Sequence, residues 1–323
     1  MIIFEKWIPK KTVFVGRNLW SFNGAALWLV HPRCFCHSKD TADRGKILHL
    51  HFSSSSSYIP RTQQIVVKEE EETHSLQNYT STDTSYEDDN IAISIQKIRE
   101  YETSVYIADV VIKDSSYLKT AFANDTFGKN ITATTSAIAS ANNAILAING
   151  DYYGFRNSGF VLRNGVIYRS SVKENADYDD LAIYEDGSFA LLNEKTADIN
   201  TLQAKGVKQI LSFGPALVSS GTVSVSESDE VEQSKTSNPR TAIGIVDNLH
   251  YKLVVSDGRT SADKGLSLYE LAQIMMDQGC SIAYNLDGGG SSTMWFQGLV
   301  VNNPTDGKSS GERKLSDIVY VGY

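Results

Sequence analysis

Cysteine and histidine are scarce in this chain. Of 323 residues, three are cysteine (Cys34, Cys36, Cys280) and six are histidine. His31, His37, His49, His51 and His74 come early, which leaves His250 alone after residue 90. A disulfide framework and a multi-histidine zinc site are therefore excluded from that larger part. A Ser–His–Asp site would have to use His250. Long apolar runs are lacking as well. The stretch 19–30 is about a dozen residues broken by Asn23, short of the roughly 20 that a spanning helix needs. No basic stripe marks the chain after residue 90, where the net charge is −7, so nucleic acid is discounted as a partner. Cys280, placed before an apolar strand, reads as a small buried hydrophobe rather than a nucleophile.

Three compositional zones are present. Residues 1–62 carry a net +6 and read poorly as a folded unit. Basic residues before a short apolar core suit a secretory signal, yet no small-residue cleavage pattern follows. A remnant of a signal or membrane anchor and a plain extension both remain open, and membrane association through this segment is open with them. The His31/Cys34/Cys36/His37 spacing matches no structural zinc pattern. Residues 63–90 carry a net −7, including Glu69 to Glu72, and read as a solvated, disordered linker.

From residue 91 to 323 the texture is that of one strand-rich domain. Residues 91–95 and 105–110 read as strands, and an Ala/Ser-rich stretch at 135–142 as a short helix. A buried strand at 144–148 delivers Asn149-Gly150-Asp151. Asn164-Gly165 and Asp186-Gly187 predict tight hairpins, because Gly, and less readily Asn or Asp, accepts positive φ. Residues 196–205 form a modest helix candidate, and 210–218 a strand broken at Gly214-Pro215. Strands at 241–246 and 251–256 lead to a well-marked helix. Ser267 is its N-cap, Glu270 completes a capping box, and Gly279 stops it. A strand at 282–286 ends at Asp287, a hairpin turns at Gln297-Gly298, and 315–321 closes the domain. The fold class expected is α+β (mixed α/β), with mixed sheets and a few flanking helices.

Chemistry must then rest on carboxylates, arginines, amides and backbone N–H groups. The strongest local signal is Asp287-Gly288-Gly289-Gly290-Ser291-Ser292. Consecutive glycines allow N–H groups to approach an anion, and the two serines add hydroxyl donors. A plain glycine-rich turn would need fewer glycines and no acid. No lysine follows, which argues against a Walker loop. Asn149-Gly150-Asp151 is a second strand-end constellation, with Tyr152, Tyr153 and Phe155 able to form a wall for a sugar ring or simply core. Arg240, just before a strand, could hold phosphate bidentately or make a surface ion pair. Asp257-Gly258-Arg259 reads slightly better as a turn, and Glu312-Arg313 as an exposed salt bridge. Acidic strand ends could host a divalent cation, but no EF-hand-like loop is present.

Taken together, these stretches resemble phosphodiester glycosidase domains. The ordered set is 147–153, Arg163-Asn164-Gly165, Phe213-Gly214-Pro215, 238–244, Asp257-Gly258-Arg259, 286–292 and Asn302-Asn303-Pro304. Each is weak alone; the order is specific. The resemblance implies hydrolysis of a sugar-1-phosphodiester to free sugar and phosphomonoester, in an extracellular or cell-surface setting. On that reading Asp287 and Asp151 are the expected acid/base or nucleophile pair. Gly288, Gly289, Ser291, Ser292 and Arg240 hold the phosphate, Asn149 and Arg163 orient the sugar, and Asp257 lines the site. The competing readings are a non-catalytic binder of phosphate-bearing polysaccharide and a hydrolase using Ser291 or Ser292 with His250 as base.

Overall fold

The structure is a computed structural model and describes residues 78–323 except 174–177, 230–236 and 308. The basic N-terminal zone, its Cys/His cluster and the Glu69–Glu72 run lie outside the described residues.

Three sheets with short helices on their outer faces make up the domain. The first has nine strands, running in space from Thr80–Ser81 through Ser85–Glu87, Ile91–Glu100, Thr103–Ile112, His250–Ser256, Thr241–Asp247, Ile282–Asn285 and Ala216–Ser219 to Thr222–Val223. The second has five, in the order Phe189–Leu192, Asp180–Tyr184, Val207–Leu211, Val161–Arg163, Val166–Arg169. The third also has five, in the order Leu299–Val300, Met294–Phe296, Leu146–Asn149, Asp317–Val321, Leu118–Phe122. A two-stranded ribbon, Thr305–Asp306 with Ser309–Ser310, stands apart.

Among the described residues every strand pair is antiparallel, so the mixed sheets expected from the sequence are corrected. Tight hairpins join many neighbours, and such turns can only reverse the chain. The strand-rich character stands, with three α-helices among the described residues. Within the described part of the acidic stretch 63–90, Thr80–Ser81 and Ser85–Glu87 are strands. Ser85–Glu87 pairs with Ile91–Glu100, because the Asp88 carboxylate accepts from Asn90 N, Ile91 N, Tyr86 Oη and Tyr323 Oη and so fixes the corner.

The core follows from a period of two. Along the central strands, alternate residues point to a shared interior: Tyr106, Ala108, Val110, Leu146, Ile148, Leu181, Leu211, Ile243, Leu253, Val319. Residues between them face outward and are covered by helices. Leu271, Ala272 and Met275 of Leu268–Asp277 pack on Val105, Ala242 and Val254. Ile138 and Ala139 of Thr135–Ala141 pack on Ala147, Ile318 and Tyr320. Ile199 of Ile199–Ala204 packs on Leu162, Ala182 and Ile210. Strands buried on both faces read as continuous apolar runs, as these do. The capping box forms as expected: Glu270 N donates to Ser267 Oγ at 3.2 Å, and Ser267 N donates to Glu270 Oε2 at 2.7 Å. Cys280 is buried, and that burial pushes its thiol up to about 12.

Candidate active site

The ends of strands from the first and third sheets converge around Asp287. Leu146–Asn149 delivers Asn149, Ile282–Asn285 leads to Asp287, and Asp317–Val321 begins with Asp317 beside Gly150. Asn149 ties them together. Its amide donates to the Asp287 carbonyl at 2.7 Å, and its Oδ1 accepts from Thr241 Oγ1 at 2.7 Å and Thr293 N at 3.2 Å. Fully buried and fully used in this way, Asn149 aims Asp287; the expected contact with a sugar is corrected to a clamp.

Behind this clamp lies a buried charge cluster. Arg163 is 2 % exposed and sits between two carboxylates. Its Nη2 lies 2.9 Å from Asp151 Oδ2 and 2.8 Å from Asp317 Oδ2, its Nε donates to Asp317 Oδ2, and its Nη1 donates to Leu162 O and Ile210 O. No nitrogen of Arg163 is left to orient a sugar, so that expectation is corrected too. Asp151 also accepts from Tyr153 N and Ser212 N, each at 2.8 Å. These donors outweigh the cost of burial and hold its carboxyl below the usual range. Sealed and saturated, Asp151 does not stand beside Asp287 as an open catalytic carboxylate. Asp317, read from sequence only as part of a closing strand, completes the cluster.

Asp257 turns out to be a latch. Its two oxygens accept from Asn303 N, Asn303 Nδ2, Asn302 Nδ2 and Tyr106 Oη, which fixes the Asn302–Asn303 loop. Asn302 in turn donates to Ser292 O, so Asp257 supports the glycine loop without lining the site. Arg240 is buried beneath that loop, its Nε donating to Leu266 O at 2.9 Å.

The N–H groups of the glycine loop are largely spent internally: Gly288 N on Asp287 Oδ1, Gly289 N on Pro239 O, Ser291 N on Gly288 O, Ser292 N on Gly289 O. The glycines are needed because arginines lie against them. A Cβ on Gly289 would come within 2.7 Å of Arg259 Nη2, and Gly289 has φ of +62°. One on Gly290 would meet Asp306 Oδ1 at 2.6 Å and Arg313 Nε at 2.8 Å. The hydroxyls of Ser291 and Ser292 are buried; that of Ser292 has no hydrogen-bond partner among the described residues, while that of Ser291 acts on the Asp287 carboxyl.

Asp287 itself is half-buried. Burial lifts its carboxyl to about 6, against the opposing pull of the Ser291 hydroxyl, Arg313, the Gly288 N–H and Arg156. Arg259 also feels the Asp287 charge, and its Nε is oriented by Asn238 Oδ1 at 3.0 Å. Arg313 is oriented by Asp306 at 2.6 Å, the partially exposed salt bridge expected of it but made with a different acid. Glu312 instead accepts from Ser136 at the start of Thr135–Ala141. Arg156 lies over the Tyr152 and Phe213 rings, 5.7 and 5.4 Å from their centroids. Tyr152 and Phe155 stack at 4.7 Å and are 36 % and 38 % exposed, whereas Tyr153 is core at 1 %. A half-buried carboxyl thus lies within electrostatic reach of three guanidinium groups, two of them packed against its glycine loop, with an exposed aromatic pair nearby. Sequence reasoning passed over Arg156, and the only local signal for it was its place after Tyr152 and Phe155. Among the described residues no group of three or more His, Cys, Asp and Glu side chains converges to hold a metal. His250 is bonded to Asp109 at 2.6 Å and opens the strand whose far end, about 20 Å away by strand rise, reaches the site.

This geometry is joined by a match over residues 142–322 to the phosphodiester glycosidase family. The chain belongs to that family. It is 28% identical over 244 residues to the SPbeta prophage-derived uncharacterized protein YomE of Bacillus subtilis, covering 70% of this chain and 36% of YomE. It is 29% identical over 194 residues to human N-acetylglucosamine-1-phosphodiester alpha-N-acetylglucosaminidase, covering 54% of this chain and 36% of the human protein. The chain therefore spans about a third of the length of these relatives. Its fold is similar to the catalytic domain of the zebrafish N-acetylglucosamine-1-phosphodiester alpha-N-acetylglucosaminidase, auto-inhibited by pro-peptide. The TM-score is 0.58 at 23% identity, over 72% of this chain and 83% of that one.

Proposed function

We propose that this domain hydrolyses the glycosidic bond of a sugar-1-phosphodiester, such as a GlcNAc-1-phosphodiester, on envelope or extracellular glycans. The observation that carries this reading is one half-buried carboxyl, Asp287, at the start of a glycine loop against which Arg259 and Arg313 pack, with Arg156 also within electrostatic reach. Glycosidic cleavage passes through a cation-like sugar, which a carboxylate stabilises. The leaving group is a phosphate, whose second pKa of about 6 spares it the protonation that a sugar alcohol requires. Cations around the phosphoryl oxygens then replace the second carboxylic acid of an ordinary glycosidase. Ionised Asp287 faces the anomeric carbon and takes the proton of the attacking water, while the Tyr152–Phe155 pair stacks on the sugar ring. Free sugar and a phosphomonoester leave.

The test is release of free sugar from UDP-GlcNAc and related sugar-1-phosphodiesters. Asp287→Asn is expected to lower kcat by about 10²–10⁴-fold, the usual contribution of a positioned base. Activity should rise with pH through about 6 as Asp287 ionises. Binding of these compounds without sugar release would favour the polysaccharide-binding reading, and wild-type turnover by Asp287→Asn would overturn the assignment. The serine-hydrolase reading lacks its base, since His250 is engaged with Asp109 at the far end of its strand.

A further inference from the structure

The cluster behind Asp287 is asymmetric. Both Asp151 and Asp317 are buried and both accept from Arg163. Asp151 has two further backbone donors. Asp317 has none: its Oδ2 shares the guanidinium, and its Oδ1 is buried without a partner among the described residues. The groups that face Asp317 are Arg163, Asp151, the Tyr153 phenol and, from the glycine loop, Asp287. On its other side the neighbouring strand places Phe122 opposite it, which brings no charge. One arginine is therefore ion-paired with both carboxylates, while Arg169, half-buried on the neighbouring strand Val166–Arg169, adds a cation that acts on Asp151 and Arg163 without a direct pair to Asp317. If both acids were ionised, the charge on Asp317 would have only a shared ion pair to rest on in a water-excluded place. The lone Oδ1 is where a proton relieves it.

The link from Asp317 to Asp287 is short. Gly150 N donates to Asp317 O at 2.8 Å, and Asp317 Oδ1 lies 2.3 Å from where a Gly150 Cβ would stand. Asn149, the next residue, clamps the Asp287 carbonyl. A charge on Asp317 would therefore arise two residues' contacts away from Asp287 and within electrostatic reach of its carboxyl.

Building on the proposed function, we propose that Asp317 is a positioning residue that works as the neutral acid. Protonated, it leaves Asp151 and Arg163 charge-balanced behind Asp287; ionised, it opposes both Asp287 and the phosphate and shuts the site down. Its electrostatics agree: burial first, then repulsion from Asp151, lifts its carboxyl to about 8.

Two readouts test this. First, the wild-type kcat/KM for UDP-GlcNAc hydrolysis should rise through about pH 6 and fall through about pH 8. Asp317→Asn mimics the neutral acid. It should keep the neutral-pH rate to within a few-fold and lose the alkaline fall. An unchanged alkaline limb in Asp317→Asn overturns the proposal, since a merely structural side chain would leave that limb in place. Second, urea unfolding is followed from about pH 5 to 9, which needs no substrate. A native carboxyl raised above its unfolded value binds a proton that the unfolded chain releases. Its contribution is present below the unfolded pKa and is lost as pH rises through the folded one. Asp317→Asn should remove that part of the slope, and an identical slope in the two proteins overturns the proposal. If Asp317→Asn does not fold, Asp317→Ser, smaller and equally neutral, takes its place in both measurements. A wild-type protein that releases no sugar, yet differs from the variant in slope, supports the protonated Asp317 while defeating the proposed function.

Discussion

Replacing Arg163 with methionine tests the buried cluster most directly. The guanidinium holds Asp151 at 2.9 Å and Asp317 at 2.8 Å and also donates to Leu162 O and Ile210 O, all in a place where Arg163 is 2 % exposed. Methionine fills much of the volume but leaves buried acids without their cation. Breaking a buried pair by removing one partner costs about 3–5 kcal/mol, because the surviving charge is stranded. For a domain of this size each kcal/mol moves Tm by roughly 2–4 °C, so the expected fall is about 6–20 °C near neutral pH. The loss should depend on pH in a definite direction. In the wild type, Asp151 is held below its usual range, a stabilisation present above its unfolded pKa and lost as pH falls through the folded one. In the variant both acids have their pKa raised and protonate more readily, so the deficit shrinks as the medium is acidified. Urea and thermal unfolding at about pH 8 and about pH 5 measure both effects. Adding Asp151→Asn to Arg163→Met should recover part of the loss by removing the stranded charge. A deficit below about 1 kcal/mol at pH 8, or one equally large at both pH values, would refute the reasoning.

Two further substitutions probe the glycine loop and the helix beside the large sheet. Gly290→Ala places a methyl 2.6 Å from Asp306 Oδ1 and 2.8 Å from Arg313 Nε. These are ends of partially exposed side chains, so stability should hold to within about 1 kcal/mol while KM for a sugar-1-phosphodiester rises about tenfold, the worth of a charge-assisted hydrogen bond. Steady-state kinetics beside a melting curve separate the two. Ser267→Ala removes the capping box of Leu268–Asp277 and should cost about 1 kcal/mol by urea denaturation, with kcat unchanged.

How much of this was legible in the sequence depended on how local each signal was. The Asn164-Gly165 turn needed only two residues that accept positive φ, and they have φ of +49° and +80°. The Ser267–Glu270 box needed only a spacing of three. Leu118–Phe122 passed unnoticed, because its alternation, Leu118, Thr120 and Phe122 inward with Lys119 between, is short and half polar. Among site residues, Asp287 was found because a carboxylate and three glycines at a strand end are themselves a local pattern.

The sequence by itself determined the strand ends, the tight turns, the glycine loop and the family, since each is written in neighbouring residues and their order. Only the tertiary structure decided what the polar side chains at those ends do. Asn149, Asp151, Arg163 and Asp257 look like site residues in sequence, but burial turns them into clamps and latches because their hydrogen-bonding capacity is spent on one another and on backbone. Arg156, Arg259 and Arg313 lie in three loops far apart in the chain, yet the fold brings them within electrostatic reach of Asp287. A side chain's chemistry is fixed by its covalent structure, but its role follows from which partners reach it and whether water does.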